Sequence, residues 1–171
     1  MIKRRPTEEE FAPYYGTYVK KVQGEDIIPI LEKNKQTTED FLLSIPTEKW
    51  NSAYEEGKWT IKEVIVHLID TERVFAYRAM RIARGDSTSL PGFDQDIFIE
   101  NSNANARSID SLISEFKVTR EATISFFKNL TEEQWQRKGT ASGVVFTPIG
   151  AAYLSAGHEI HHLDLLKERY L

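Results

Sequence analysis

The chain has 171 residues, no cysteine, and a formal net charge of −4 from 22 basic and 26 acidic side chains. At 40 % hydrophobic and 28 % charged residues, it has the composition of a folded domain that buries a core without covalent staples. The missing cysteines exclude disulfides, thiolate nucleophiles and cysteine zinc sites and fit a reducing compartment. The acidic balance, with no basic run beyond "KRR" at 3–5, argues against nucleic-acid binding.

No apolar run approaches the ~20 residues of a membrane span, and "MIKRRPTEEEF" lacks the apolar centre of a signal peptide. The expectation is a single cytoplasmic domain over residues 1–171, with a small molecule as its partner rather than a membrane or a nucleic acid.

Residues 1–24 hold two prolines, two glycines and the cluster "FAPYYGTYV". They read as an irregular arm packing through Phe11, Tyr14, Tyr15 and Tyr18. A first helix is predicted over about 26–44. Asp26 is its cap, Pro29 lies in its first turn, and Ile27, Ile30, Leu31, Phe41 and Leu42 form its stripe. A second helix opens on the capping box "TIKE" at 60–63 and runs to Arg84, before Gly85. Residues 85–107 form a long polar loop with a Pro-Gly turn, of a length that is often functional. Within it Phe93, Asp94, Gln95 and Asp96 are candidates for a pocket rim; the alternative is a plain connector docked on the bundle.

A third helix is predicted over about 108–129, capped by Ser108, followed by an irregular or extended stretch over 131–147. A fourth begins at Thr147-Pro148 and runs to about Tyr170. Four long helices with almost no strand signal predict an all-α four-helix bundle. A faint internal echo accompanies them, since "SIPTEKW" (44–50) and "NLTEEQW" (129–135) each lead into a Thr-capped helix bearing histidine.

Three of the four histidines fall in "GHEIHHLDLL", residues 157–166. At ~100° per residue, His162 lies about 40° from His158 and His161 about −60°. His158 and His162 therefore share a face with Ala151, Leu154 and Leu165, while His161 sits at its edge. His67 borders the apolar stripe of the second helix, on the azimuth of Thr60, Thr71 and Arg78. If these two helices are neighbours, three imidazoles converge, and three neutral nitrogens with one open position form the donor set of a catalytic divalent-metal site. The competing reading is hydrogen-bonded core histidines. Glu72 projects onto an apolar face and reads as half of a buried ion pair with Arg78, Arg81 or Arg120, or else as a carboxylate orienting a histidine. Glu159, Asp164 and Asp70 read equally well as solvated surface charges.

"KWTIKEVIVHLIDTERVFAYRAMRIARGD", "LPGFDQD" and "AGHEIHHLDLL" together resemble the DinB-like (damage-inducible, YfiT-type) proteins, over nearly the whole chain. The resemblance implies an up-down-down-up bundle, often dimeric, so a homodimer is expected. It also implies a divalent metal, typically nickel or zinc, and carried onto this chain its three ligands are His67, His158 and His162. Members include bacillithiol- or mycothiol-dependent thiol S-transferases and a maleylpyruvate isomerase. The expected function is thus a metal-dependent thiol transferase or hydrolase. Because the chain has no cysteine, any thiol is a low-molecular-weight co-substrate. The alternative is a non-catalytic stress-response or interaction module with a structural or vestigial metal site.

Overall fold

The computed structural model of the chain describes residues 2–171. Its helices are α1 (Gly16–Lys21), α2 (Ile27–Ser44), α3 (Ile61–Ala83), α4 (Gln95–Glu100), α5 (Ile109–Lys128), α6 (Glu132–Gln136) and α7 (Pro148–Arg169). A two-stranded antiparallel hairpin, β1 (Gly139–Ala141) and β2 (Val144–Phe146), precedes α7. No helix among the described residues is long and apolar enough to cross a membrane.

The long helices begin where local chemistry dictates. Thr60 accepts from the Glu63 N–H and Glu63 accepts from the Thr60 N–H, so the capping box forms. Ser108 and Thr147 accept from Ser111 and Gly150 in the same way. After α3 the chain turns through Gly85 at φ 85°, a conformation that glycine adopts without steric cost. Asp26 occupies the cap position of α2 but makes no capping hydrogen bond. A cap side chain accepts from the second or third helical N–H, and here the third residue is Pro29, which has none. Asp26 pairs instead with Lys3 at 3.3 Å.

Cross-helix contacts give the direction of each helix. Lys35 with Glu121 and Lys117 with Glu39 run α2 antiparallel to α5. The Lys62 ammonium on the Arg107 carbonyl and Arg73 on Glu115 run α3 parallel to α5. His67 opposite His158, with Phe75 against Phe146 just before α7, runs α3 antiparallel to α7. The result is a four-helix bundle in which α2 and α7 point one way and α3 and α5 the other.

The core has two apolar clusters. One holds Phe75, Ile82, Phe127, Trp135 and Ile149. The other holds Trp50, Ile61, Ile65, Phe116, Leu163 and Leu166. A polar layer lies between them and takes one residue from each long helix. Arg120 (α5) makes two parallel bonds of 2.8 Å to Glu72 (α3) and one of 2.7 Å to Glu159 (α7), which accepts from Thr38 (α2) at 2.6 Å. Arg120 is therefore the ion-pair partner of Glu72. Glu159 is 1 % exposed, which overturns its reading as a solvated surface charge. Asp70 and Asp164 do sit in partly exposed ion pairs with Arg73 and Lys21.

The irregular segments carry more structure than their composition predicts. The arm contains α1, the long loop contains α4, and 131–147 contains α6 and the hairpin. Each piece is short, and short helices form only through tertiary contacts. Phe11 is buried, Tyr15 and Tyr18 partly so, and Tyr14 is exposed. The arm lies directly on α7. A Cβ on Gly150 would fall 2.6 Å from the Glu10 carbonyl oxygen, and one on Gly157 would fall 2.1 Å from that of Tyr18. Leu90 joins the loop to the hairpin through 2.9 Å bonds to the Thr140 carbonyl and from the Ser142 N–H. Both echoed segments turn as short helices, Thr-Glu-Lys-Trp at 47–50 and the one-residue-longer Thr-Glu-Glu-Gln-Trp at 131–135, burying Trp50 and Trp135.

Removing one partner of a buried charge network leaves the rest uncompensated and costs about 3–5 kcal/mol. Arg120→Met is expected to lower unfolding stability by that order, measured by urea denaturation. Thr38→Val, which removes only a hydroxyl from the same layer, is expected to cost about 1–3 kcal/mol.

Candidate metal centre

The polar layer continues directly into the histidines. His67 lies five residues before Glu72 on α3, and His158 immediately precedes Glu159 on α7. The Nε2 atoms of His67 and His162 lie 3.0 and 3.1 Å from Nε2 of His158, and these three rings form the one histidine cluster among the described residues. His67 and His158 are buried and His162 partly so. His161 stands beside the triad, partly buried, packed edge-on against Tyr18.

Burial holds all three rings neutral. It depresses His67 to about 4 and His162 to about 3, where His67 and His161 add to the effect. His158 lies well below the usual histidine range, through burial first and its histidine neighbours second. A neutral imidazole nitrogen carries either one hydrogen or one lone pair. Nε2 of His158 therefore has a single hydrogen or a single lone pair for two neighbours, and at least one of its two contacts falls short of a full hydrogen bond. A cation accepting all three lone pairs removes the shortfall, so the donor set fits a divalent metal. On the outer side, Nδ1 of His67 lies 3.4 Å from the Thr71 hydroxyl; in the tautomer with hydrogen on Nδ1 this contact leaves the Nε2 lone pair facing inward. Nδ1 of His162 is buried without a protein partner.

Two cavities flank the triad. The first, about 250 Å³, is bounded by His67 and His158 and walled by Tyr14, Tyr15, Tyr18 and Phe93. The second, about 280 Å³, meets His162 and is walled by Tyr54, Trp59, Tyr170 and Asp96. Trp59 packs on His67 with ring centroids 4.9 Å apart. Helix α4 contributes to both cavities, Gln95 to the first and Asp96 to the second. The long loop is thus a rim. Phe93, Gln95 and Asp96 have the expected place, whereas the Asp94 carboxylate caps α4 by accepting from Asp96 and Ile97. Tyr14 and Tyr15, read from sequence as packing, line a cavity. Trp59, Ser142 and Tyr170 were not singled out by the sequence, because spacing on one helix gives no sign of walls supplied by loops and chain ends.

The neutral histidines set a pH dependence in the metal-free protein. Their folded-state values lie below the ordinary 6.5, so between about pH 4 and 6.5 the unfolded chain binds more protons and stability rises with pH. Stability is expected to be intact above about 6.5 and to fall as the medium is acidified, by on the order of 3 kcal/mol for His67 alone. Chemical denaturation at a series of pH values reads this, and His67→Gln flattens the profile.

Comparison with known proteins bears on the family and the fold. Residues 30–166 match the family model of the DinB superfamily. A candidate metal-dependent hydrolase from Oceanobacillus iheyensis is 28 % identical over 153 residues, covering 86 % of this chain and 87 % of its own length. The fold is similar to that of YfiT from Bacillus subtilis, described as "a probable metal-dependent hydrolase with an unusual four-helix bundle topology". That structure has a TM-score of 0.72 at 16 % identity, with 97 % of this chain and 91 % of YfiT covered. A mycothiol-dependent maleylpyruvate isomerase is similar at TM-score 0.66 and 16 % identity. There 86 % of this chain aligns with 62 % of the isomerase. The matched family, the bundle and the clustered histidines converge on one assignment: the chain belongs to the DinB superfamily.

Proposed function

We propose that this protein is a divalent-metal-dependent enzyme in which His67, His158 and His162 hold nickel or zinc, and that it acts as a hydrolase on a small-molecule substrate. The observation that carries this reading is the convergence of three neutral ring nitrogens, 3.0 and 3.1 Å apart, at a point flanked by two cavities. A divalent cation held by neutral ligands keeps its full charge and strongly acidifies water or a thiol at its open position. The chain's own residues supply the rest. Thr71 orients His67, the tyrosines and Trp59 exclude bulk water, and α4 offers polar side chains to both cavities.

A second reading is a thiol S-transferase of the bacillithiol or mycothiol type, and the paired cavities favour it. A two-substrate reaction needs two compartments meeting at one reactive centre, whereas hydrolysis needs one compartment and water. The thiol would come as a small molecule, since the chain has no cysteine. Self-association as a homodimer belongs to the same proposal. An apolar groove between α3 and α5 presents the exposed side chains of Tyr77, Met80 and Val118, which a second copy would cover.

Untagged protein is expected to purify with near-stoichiometric divalent metal, read by elemental mass spectrometry, and His67→Ala, His158→Ala and His162→Ala each to lose at least nine-tenths of it. Metal-loaded protein is then offered ester substrates alone, and low-molecular-weight thiols with monobromobimane. Turnover of esters without thiol supports the hydrolase and thiol-dependent conjugation the transferase; no turnover in either arm returns the site to a structural or vestigial role. Light scattering is expected to give twice the chain mass, and Tyr77→Lys to halve it.

A further inference from the structure

We propose that Arg78 is an anion-binding residue of the first cavity, and that this cavity takes a small organic carboxylate with a flat, apolar body. The inference deepens the enzymatic reading above and rests on it for calling that carboxylate a substrate; as a binding site it stands on its own geometry.

Arg78 is 2 % exposed, yet no carboxylate lies within ion-pair distance of it among the described residues. Its contrast with Arg120 is direct, because Arg120, equally buried, holds two carboxylates. Burying a charge without a counter-charge is costly, and such a cost is tolerated chiefly where a ligand supplies the missing charge. Nη2 of Arg78 donates to the Pro91 carbonyl at 2.7 Å and to the Ser142 hydroxyl at 2.9 Å. Its guanidinium carbon lies 5.7 Å from the ring centroids of both Phe93 and Phe146. Two neutral oxygens and two aromatic faces support a cation without neutralising it. Nε and Nη1 donate to no carbonyl or carboxylate among the described residues; the Tyr15 phenol stands beside the guanidinium as a neutral partner that a ligand carboxylate would displace.

Arg78 lies behind the cavity wall, against residues that form it. Ser142 and Phe93, which touch the guanidinium, also line the cavity, and Ser142 is exposed. It sits at the hairpin turn with φ 54°, a strained setting for a non-glycine residue. Tyr15 is the third neighbour. Burial raises its phenol above the ordinary range, with the Arg78 charge opposing. Along α3 the residues His67, Thr71 and Arg78 share one face, and the α-carbons of His67 and Arg78 are about 16 Å apart along the axis. Long side chains lean towards the N-terminus of their helix, which brings the guanidinium back towards the histidines.

The chemistry of the ligand follows from the lining. The wall itself holds no lysine and no arginine, so the single guanidinium behind it suits a singly charged planar group, which the fork of an arginine matches in two parallel bonds. A phosphate asks for more donors than this. The walls of Tyr14, Tyr15, Tyr18 and Phe93 suit a flat apolar body, and about 250 Å³ lies just under the ~300–1,000 Å³ of drug-sized pockets. The carboxylate then sits on Arg78 while the opposite end of the molecule faces His67 and His158.

Benzoate, benzamide and inorganic phosphate are titrated calorimetrically into the full-length protein, both metal-loaded and chelator-treated. Benzoate is expected to bind both forms, at least tenfold more tightly than benzamide or phosphate. That preference is expected to persist in His67→Ala and to vanish in Arg78→Gln. Persistence in His67→Ala and in chelator-treated protein separates this site from the metal reading, so either can fail alone. If Arg78→Gln does not fold, protection of Arg78 by benzoate against phenylglyoxal, followed by mass spectrometry of the wild type, takes its place. Equal binding of benzoate and benzamide, phosphate binding as tight as benzoate, benzoate binding unchanged in Arg78→Gln, absent protection, or no binding at all would each overturn the assignment.

Discussion

The buried knot of Thr38, Glu72, Arg120 and Glu159 fixes how the bundle fits together. Apolar side chains tolerate sliding, since one leucine packs against another at several registers. A buried guanidinium between two carboxylates does not, because a displacement of one helical turn strands a charge in the core. The knot takes one residue from each long helix, so it sets the height of all four at once. His158 adjoins Glu159 in the chain, and His67 lies little more than one turn from Glu72. Aligning the acids therefore aligns the histidines, and the site inherits its geometry from an ion-pair network that touches no substrate.

The same layer explains the electrostatics. Two carboxylates share one guanidinium behind His158, where a small gap is bounded jointly by His158, Glu72, Arg120 and Glu159. Burial pushes the Glu159 carboxyl upward against the pull of Arg120. In front of the network stand three rings that burial keeps neutral. A cation among those rings would face lone pairs on one side and the carboxylate layer on the other, a setting suited to a divalent ion, while burial first and the neighbouring rings second keep protons off.

The sequence made the frame legible because the frame rests on repeated signals. Capping residues at Thr60, Ser108 and Thr147 and the stripe along α3 mark the long helices, and the i, i+4 spacing of His158 and His162 places two rings on one face. The partner of Glu72 stayed open among three arginines, since Arg78 and Arg81 share its helix, Arg120 lies on another, and only the packed bundle brings Arg120 to it. Asp26 fell in the cap position without capping, because the missing N–H of Pro29 outweighed the preference for aspartate. The short elements α1, α4 and α6 left no periodic trace; contacts such as the arm on Gly157 hold them. The walls of the two cavities were the least legible part, as they are assembled from the arm, α4, the hairpin turn and the C-terminal Tyr170.

The seating of the arm on α7 has a further consequence. The stretch matched by the superfamily is 30–166, which contains all three histidines but none of Tyr14, Tyr15 and Tyr18. The glycine at 157 is the meeting point of the two portions, since it lets the Tyr18 carbonyl touch the helix one residue before His158. The three rings and the tyrosine wall of the first cavity thus sit on separable pieces of the chain, while Phe93, Gln95 and Ser142 stay with the rings. A lineage could keep the former intact while exchanging the latter, and a likeness confined to the helices would stay silent about what is acted upon.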